Sequence, residues 1–357
     1  MEKQDVNSQR GEIEFRRRLS QQQLGGEKFF DDELDKVAAE SVLKGRMETT
    51  QTNMTRLRES GIPLSPYLEI GAERGQRSLV MENEIGARGA AADISFDMLR
   101  SCEYYKEAFG KSRMPLRLCC DANNLPIRSN SLPYVFCYET LHHFPEPTPI
   151  LAEIYRVMSP GGYFSFEEEP YRRVLRGNLY QVKAHSEQVR KRNFLRKALD
   201  RLFATHEMNE VKFGVIENHD ISTSEWKRSL AIFDGKEAWL RPLNRESLRS
   251  ALFKPASRMK YFVAYLMGGT ISGMCRKEQN GKAGSGSAVS AIEDAMICPG
   301  CRLAGAEHSL AQDSSGFTCA ACSKHYPIVG GVAFLFEYGK FEELYPDVFS
   351  SVLKEQR

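Results

Sequence analysis

Two cysteine pairs, Cys298-Pro299-Gly300-Cys301 and Cys319-Ala320-Ala321-Cys322, lie 17 residues apart near the C-terminus. Knuckles at that spacing can place four thiolates tetrahedrally, ~2.3 Å from a zinc ion, and the ion supplies folding energy that a small module otherwise lacks. Rubredoxin-like iron is the smaller alternative, because four sulfurs suit both metals. Four sulfurs leave no vacancy, so the site reads as structural, with His308 and His325 at the surface. A second group starts at Leu68-Glu69-Ile70-Gly71-Ala72-Glu73-Arg74-Gly75, where an apolar run enters a glycine turn. Such a turn frees backbone N–H groups to face a ligand with no Cβ in the way. Asp93 ends a second apolar run, where a carboxylate can accept hydrogen bonds from both hydroxyls of a ribose. Asp121 ends a third, in Asp121-Ala122-Asn123-Asn124-Leu125-Pro126, placed to meet an adenine edge. His142 and His143 follow a fourth, and either imidazole could deprotonate a hydroxyl near neutral pH. The same pair could simply open a helix and pack. Glu167-Glu168-Glu169 could meet an acceptor or a metal, or form a solvated turn.

These residues need a frame that gathers them at one edge. Short strands are expected over Tyr67–Ile70, Gly89–Asp93, Leu116–Cys120, Tyr134–Tyr138 and Tyr163–Phe166. Helices are expected over Gln76–Ile85, over Phe96–Phe109 with Ser95 as cap, and over Pro149–Met158, which Ser159-Pro160-Gly161-Gly162 stops. Strands alternating with helices predict an α/β fold with a mostly parallel sheet covered on both faces. Gly71, Asp93 and Asp121 then share the carboxyl ends of its strands, where open sheets bind ligands.

Around this unit, residues 1–60 read as a helical segment, with helices over Glu27–Glu40 and Ser41–Ser60. Residues 61–276 form the main domain, with a helical insertion at 171–260. Within the insertion, Tyr171–Arg201 carries ten Lys/Arg against two acidic residues, opposite an apolar stripe of Val189, Leu195, Leu199, Leu202 and Phe203. That face suits an anionic acceptor (a phospholipid-linked sugar, a nucleotide sugar or RNA) or is a solvated surface. Its few aromatics, Tyr171, Tyr180 and Phe194, weigh against RNA. Tyr261–Cys275 reads as paired final strands, 277–293 as a flexible linker and 294–357 as the cysteine-bearing module.

The composition fits an ordinary globular protein: 41% hydrophobic and 27% charged residues, with net charge +2. That balance excludes a globally basic nucleic-acid binder. No apolar stretch reaches the ~18–20 residues of a membrane span, and Met1-Glu2-Lys3-Gln4-Asp5 begins no signal peptide, so a cytoplasmic chain is expected. Five of the nine cysteines sit in apolar runs as reduced small hydrophobes.

Residues 60–170 resemble the class I S-adenosylmethionine-dependent methyltransferases of the branch acting on small molecules and lipids. The resemblance rests on LEIGAERG, AADIS, DANNLPIRSNSLPYVFCYETLHHF and ILAEIYRVMSPGGYFSF. It implies a three-layer α-β-α sandwich with a seven-stranded sheet whose last strand is antiparallel. It also implies that Glu69, Gly71, Ala72 and Gly75 line the methionine part of the cofactor. Asp93 and Ile94 would flank the ribose and adenine, Asp121 and Ala122 would meet the adenine, and Tyr138 would lie beside the transferred methyl, with His142 the candidate catalytic residue. The family's middle turn glycine is Glu73 here. Its side chain points outward, pairs with the cofactor's ammonium or Arg74, or impairs cofactor binding. The absence of an Asn/Asp-Pro-Pro-Tyr tetrapeptide argues against amide or exocyclic amine acceptors. Residues 296–337 resemble the zinc-ribbon subunit that activates tRNA and protein methyltransferases by adding a strand to them. Together these imply methyl transfer to a hydroxyl or carboxylate of a small or glycolipid-type acceptor. RNA or protein methylation is the alternative, and a non-catalytic methyltransferase-like partner protein is the rival.

Overall fold

The computed structural model describes residues 2–31, 33–171, 209–218, 221–242, 269–278 and 288–355. The basic face expected over 172–201 and the first half of the apolar run at 261–275 lie outside them. Helices α1 (Glu2–Gln23) and α2 (Lys36–Glu59) lead into alternating strands and helices. These are β1 (Tyr67–Ile70), α3 (Gln76–Val80, widening into a π turn at Met81–Ile85), β2 (Gly89–Asp93), α4 (Phe96–Ala108), β3 (Leu116–Cys120), β4 (Leu132–Tyr138), α5 (Pro147–Val157) and β5 (Met158–Tyr171). Two further strands, β6 (Gly235–Pro242) and β7 (Gly269–Arg276), complete the domain. The order β6-β7-β5-β4-β1-β2-β3 is the expected α/β sheet of seven strands, all parallel except β7, which runs antiparallel to both β5 and β6.

Hydrophobic patterning explains the layers. All four residues of β1 are buried, as they must be in a strand covered on both faces. Ser95 accepts a hydrogen bond from Met98 N and caps α4, and Ile150, Leu151, Ile154 and Val157 turn the apolar face of α5 onto the sheet. Three expectations are corrected here. The Pro160-Gly161-Gly162 break does not lie between elements but forms an irregularity within β5, where the register against β4 shifts. The strand paired with β7 comes from Gly235–Pro242, inside the supposedly helical insertion, where the two form an antiparallel ladder of eight residue pairs. The N-terminal helices span 2–23 and 36–59, whereas the described residues between them carry no regular helix.

The cysteine module, β8 (Leu310–Gln312), β9 (Gly316–Cys319), β10 (His325–Val329) and β11 (Val332–Leu335), is continuous with the main sheet. β11 runs parallel to β3, with Val332 opposite Arg117 and Leu335 opposite Cys120, so one sheet of 11 strands results. This pairing covers what would be a bare edge on β3. Val332, Phe334 and Phe341 pack into one cluster with Ala91, Leu99 and Cys119. The ends of the expected linker are also anchored. Lys277 donates to Asn130 Oδ1 at 2.6 Å and to the Tyr155 carbonyl at 2.7 Å, and Ile292 and Ala295 are buried in the main core.

Candidate active site

Gly71, at the end of β1, has φ +67°, and a Cβ there would lie 2.3 Å from Thr140 Oγ1. Gly75 has φ +64° and faces Cys102. Between them Glu73 also adopts a left-handed backbone, φ 51°, so the turn requires positive φ at alternate residues. A family with glycine at all three positions meets that requirement without strain; this chain places a charged residue at the middle one.

The Glu73 carboxylate is held by cations. Arg74 Nη1 lies 2.9 Å away, Arg46 Nη1 3.3 Å and Arg16 Nη1 3.5 Å. Burial alone would raise the Glu73 pKa, but Arg74, Arg46 and Arg16 together hold it far below the usual carboxylate range. Glu73 N donates to Asp93 Oδ2 at 2.8 Å and Ser95 N donates to Oδ1 at 2.8 Å. Each Asp93 oxygen thus has one backbone donor and capacity for another. Burial pushes the Asp93 carboxyl up to about 6.

Gly71, Glu73, Asp93 and Ile94 border a cavity of about 290 Å³ that also meets Asp121, Ala122, Tyr138 and His142. It opens at the carboxyl ends of β1, β2, β3 and β4, and residues Ser8, Gln9, Glu12 and Arg16 of α1 roof it. Residues 68–166 match the family described as a methyltransferase domain.

Over 100 residues the chain is 29% identical to a malonyl-[acyl-carrier protein] O-methyltransferase of Marinomonas sp. (strain MWYL1). That alignment takes in 28% of this chain and 36% of the relative, so the chain spans about a third of the length of the curated relative it matches. Solved structures similar to this chain include an S-adenosylmethionine-dependent methyltransferase from Archaeoglobus fulgidus, 16% identical, with TM-score 0.37, over 65% of this chain and 94% of that one. Another comes from the complex between the Haloferax volcanii Trm112 methyltransferase activator and a methyltransferase, 16% identical, with TM-score 0.36, over 67% of this chain and 97% of that one.

Three residues expected at the cofactor stand outside the cavity. Glu69 is fully buried and accepts from Ser78 N at 3.0 Å and Ser78 Oγ at 2.6 Å, tying β1 to α3. Burial lifts its carboxyl to about 7, partly offset by Arg77 and Ser78. Ala72 packs with Leu99 and Phe334, and Gly75 turns toward Cys102, so both shape the loop from behind. Tyr138 lies on the cavity wall with the Arg77 guanidinium 3.8 Å from its ring centre.

His142 differs from expectation. Its Nδ1 lies 2.9 Å from Glu169 Oε2 and its Nε2 lies 3.5 Å from Glu217 Oε2. Burial would lower its pKa, but the bonds to Glu169 and Glu217 push it up to about 10. Carboxylates thus face both ring nitrogens, so the ring does not stand open to take a proton from a hydroxyl. Glu169 is not part of a solvated turn. It is fully buried and accepts from the backbone N–H groups of Thr140 (2.7 Å), Leu141 (2.9 Å) and His142 (3.2 Å). Arg16, Arg46, Arg77, Glu12 and Glu217 line the cavity without having been visible as candidates. They sit in stretches with no turn motif or strand end to mark them.

The C-terminal module contributes directly. Lys340 pairs with Asp121, whose other oxygen accepts from Asn123 N at 2.9 Å. Tyr345 OH donates to the Ile94 carbonyl at 2.6 Å and accepts from Phe96 N at 3.0 Å. The four thiols form a compact cluster: Cys298 Sγ lies 3.6 Å from Cys322 Sγ and Cys301 Sγ 3.8 Å from Cys319 Sγ. Four sulfurs bound tetrahedrally at ~2.3 Å stand about 3.8 Å apart, so the spacing fits a zinc centre and is far too long for disulfides. Tyr326 OH, 3.1 Å from Cys298 Sγ, adds an outer hydrogen bond.

Proposed function

We propose that this chain is an S-adenosylmethionine-dependent methyltransferase whose acceptor is a hydroxyl or carboxylate of a small, anionic or lipid-linked molecule. The observation that carries the reading is the convergence of the β1 turn, Asp93 and Asp121 on one cavity shared with the His142 cluster. The cofactor fits the donor set: Asp93 retains acceptor capacity for a ribose diol, and Gly71 leaves backbone exposed where a side chain would collide with Thr140. When bound, S-adenosylmethionine supplies an electrophilic methyl group on a sulfonium.

The rest is positioning by the chain itself. Glu73 and Arg46 present an anion and a cation at the turn, complementary to the ammonium and carboxylate of an amino acid. Asp121, steadied by Lys340, faces the adenine position. Arg77 over Tyr138 stiffens the wall beside the methyl. His142, held between Glu169 and Glu217, does not stand as a free base for the acceptor. A carboxylate acceptor needs no base, which agrees with a His142 engaged by two carboxylates and with the malonyl-carrier O-methyltransferase relative.

The cavity's modest volume and the α1 roof favour a small acceptor group over a folded RNA. Zinc in the four-thiolate cluster would be structural, fastening the β3 edge and, through Lys340 and Tyr345, the adenosine end of the site. Incubation with methyl-labelled cofactor and fractionated cell extract tests the reading. Label entering a small acidic metabolite or a lipid-linked acceptor supports it. Label in RNA or protein points to the alternative. No label, with no cofactor binding, favours a partner protein in which Glu73 blocks the site.

A further inference from the structure

On the lining of the same cavity, three residues with ligand-type atoms stand close together. Glu217 Oε1 is 3.2 Å from His143 Nδ1, and Glu217 Oε2 is 3.5 Å from His142 Nε2. One ligand atom from each of His142, His143 and Glu217 can be chosen so that all lie within 4.8 Å of one another. Ligands bound to one ion at ~2.1 Å stand roughly 3 to 3.5 Å apart, by the bond lengths of nitrogen and carboxylate ligation. The outer contacts are also those of a metal site. Ligating imidazoles characteristically donate their second ring N–H to a carboxylate, which fixes tautomer and ring angle. Glu169 makes that contact to His142 Nδ1, and it is itself pinned by the three backbone N–H groups of residues 140–142. Glu12, reaching down from α1, and Glu210 add carboxylates to the same cavity.

We propose that His142, His143 and Glu217 bind a divalent first-row transition ion of the Mn2+ class, with Glu169 orienting His142 for it. Two imidazoles and a carboxylate among further acidic groups suit a borderline-to-hard ion, and a hard ion of this kind would not enter the four-thiolate site. Oxygen donors of the methyl acceptor would join these ligands on the ion. This role rests on the methyltransferase reading and deepens it: the acceptor would be a molecule able to ligate the ion through oxygen.

The test is an Mn2+ titration of the intact chain, zinc-loaded at its cysteines, followed by the loss of the free-ion electron paramagnetic resonance signal. One bound Mn2+ per chain is expected. Glu217→Gln and His143→Ala should each weaken binding tenfold or more, and Glu169→Gln tenfold to a hundredfold. Circular dichroism and S-adenosylmethionine calorimetry on each variant separate loss of the site from loss of the fold. Should Glu217→Gln misfold, the conservative Glu217→Asp, which keeps an oxygen ligand, must bind Mn2+ more tightly than His143→Ala. Cofactor binding with no Mn2+ uptake at millimolar ion overturns the metal site and leaves the methyltransferase reading standing. Mn2+ uptake that these variants do not change also overturns it. Mn2+ uptake lost in the variants, in a chain that binds no cofactor, upholds the ion site and removes the methyltransferase reading.

Discussion

Replacing Glu73 separates two opposed effects at the cofactor turn. The carboxylate is 21% exposed and pairs with Arg74, whose side chain is only 5% exposed, and with Arg16 at 15%. Removing one partner of a buried ion pair typically costs about 3–5 kcal/mol. The residual exposure and the neighbouring Glu12, which also pairs with Arg16, place this case near the lower end, at roughly 3 kcal/mol. Against that, φ 51° strains a residue with a Cβ by about 1 kcal/mol. Glu73→Ala should therefore destabilise by roughly 3 kcal/mol and Glu73→Gly by roughly 2 kcal/mol, since glycine relieves the strain. Urea unfolding at pH 7 measures both. The pH dependence has a fixed sign. A carboxyl whose folded pKa lies below its unfolded value contributes stability above about 4.5, and that contribution is lost as pH falls toward the folded value. The gap between the wild type and Glu73→Gln should narrow as pH drops from 5 to 3. Equal stability of Glu73→Ala and Glu73→Gly, or a gap that ignores pH, would refute this account of the turn.

Further outcomes follow from the same geometry. Asp93→Ala should weaken S-adenosylmethionine binding by ten- to a hundredfold in calorimetry, the effect of about 1.5–3 kcal/mol for hydrogen bonds to a charged acceptor. Because burial lifts Asp93 to about 6, wild-type affinity should fall as pH drops from 7.5 to 5, and Asp93→Asn should flatten that dependence. Cys301→Ser should leave far less than one zinc per chain by metal analysis. It should also lower the melting temperature and expose the β3 edge, seen as faster amide exchange over Leu116–Cys120. Lys340→Ala should weaken cofactor binding without changing zinc content, since it frees Asp121 and spares the thiolates.

The parts legible in the sequence were those set by local rules. Alternating apolar strands, the Ser95 cap and the left-handed requirement of Gly71 and Gly75 follow from patterns a few residues long, so the sheet and the edge that borders the cavity are legible. Helix α1 was missed because its inward face is polar or small: Ser8, Gly11, Ser20, Gln22 and Gln23 are buried with only Phe15 and Leu19 as large apolar anchors. Gln22 is buried because it satisfies backbone groups of Phe29 and Phe30, a contact with no periodic signature. Strand β6 was hidden because Lys236, Glu237 and Arg241 break its apolar character, and its stability comes from pairing with β7 across a long sequence gap. The union of the two modules into one sheet depends on the edge of β3 meeting β11, and nothing local to either strand specifies that partner. The position of His142 just after β4 is legible locally, but its contacts to Glu169 and Glu217 come from other segments.

The measurement that bears most directly on the central claim is calorimetry of the full chain with S-adenosylhomocysteine, the wild type beside Asp93→Ala. Saturable binding near one ligand per chain, lost or greatly weakened in Asp93→Ala while the fold is retained, is the predicted result. No heat in the wild type at millimolar ligand, or equal binding by both proteins, would contradict it.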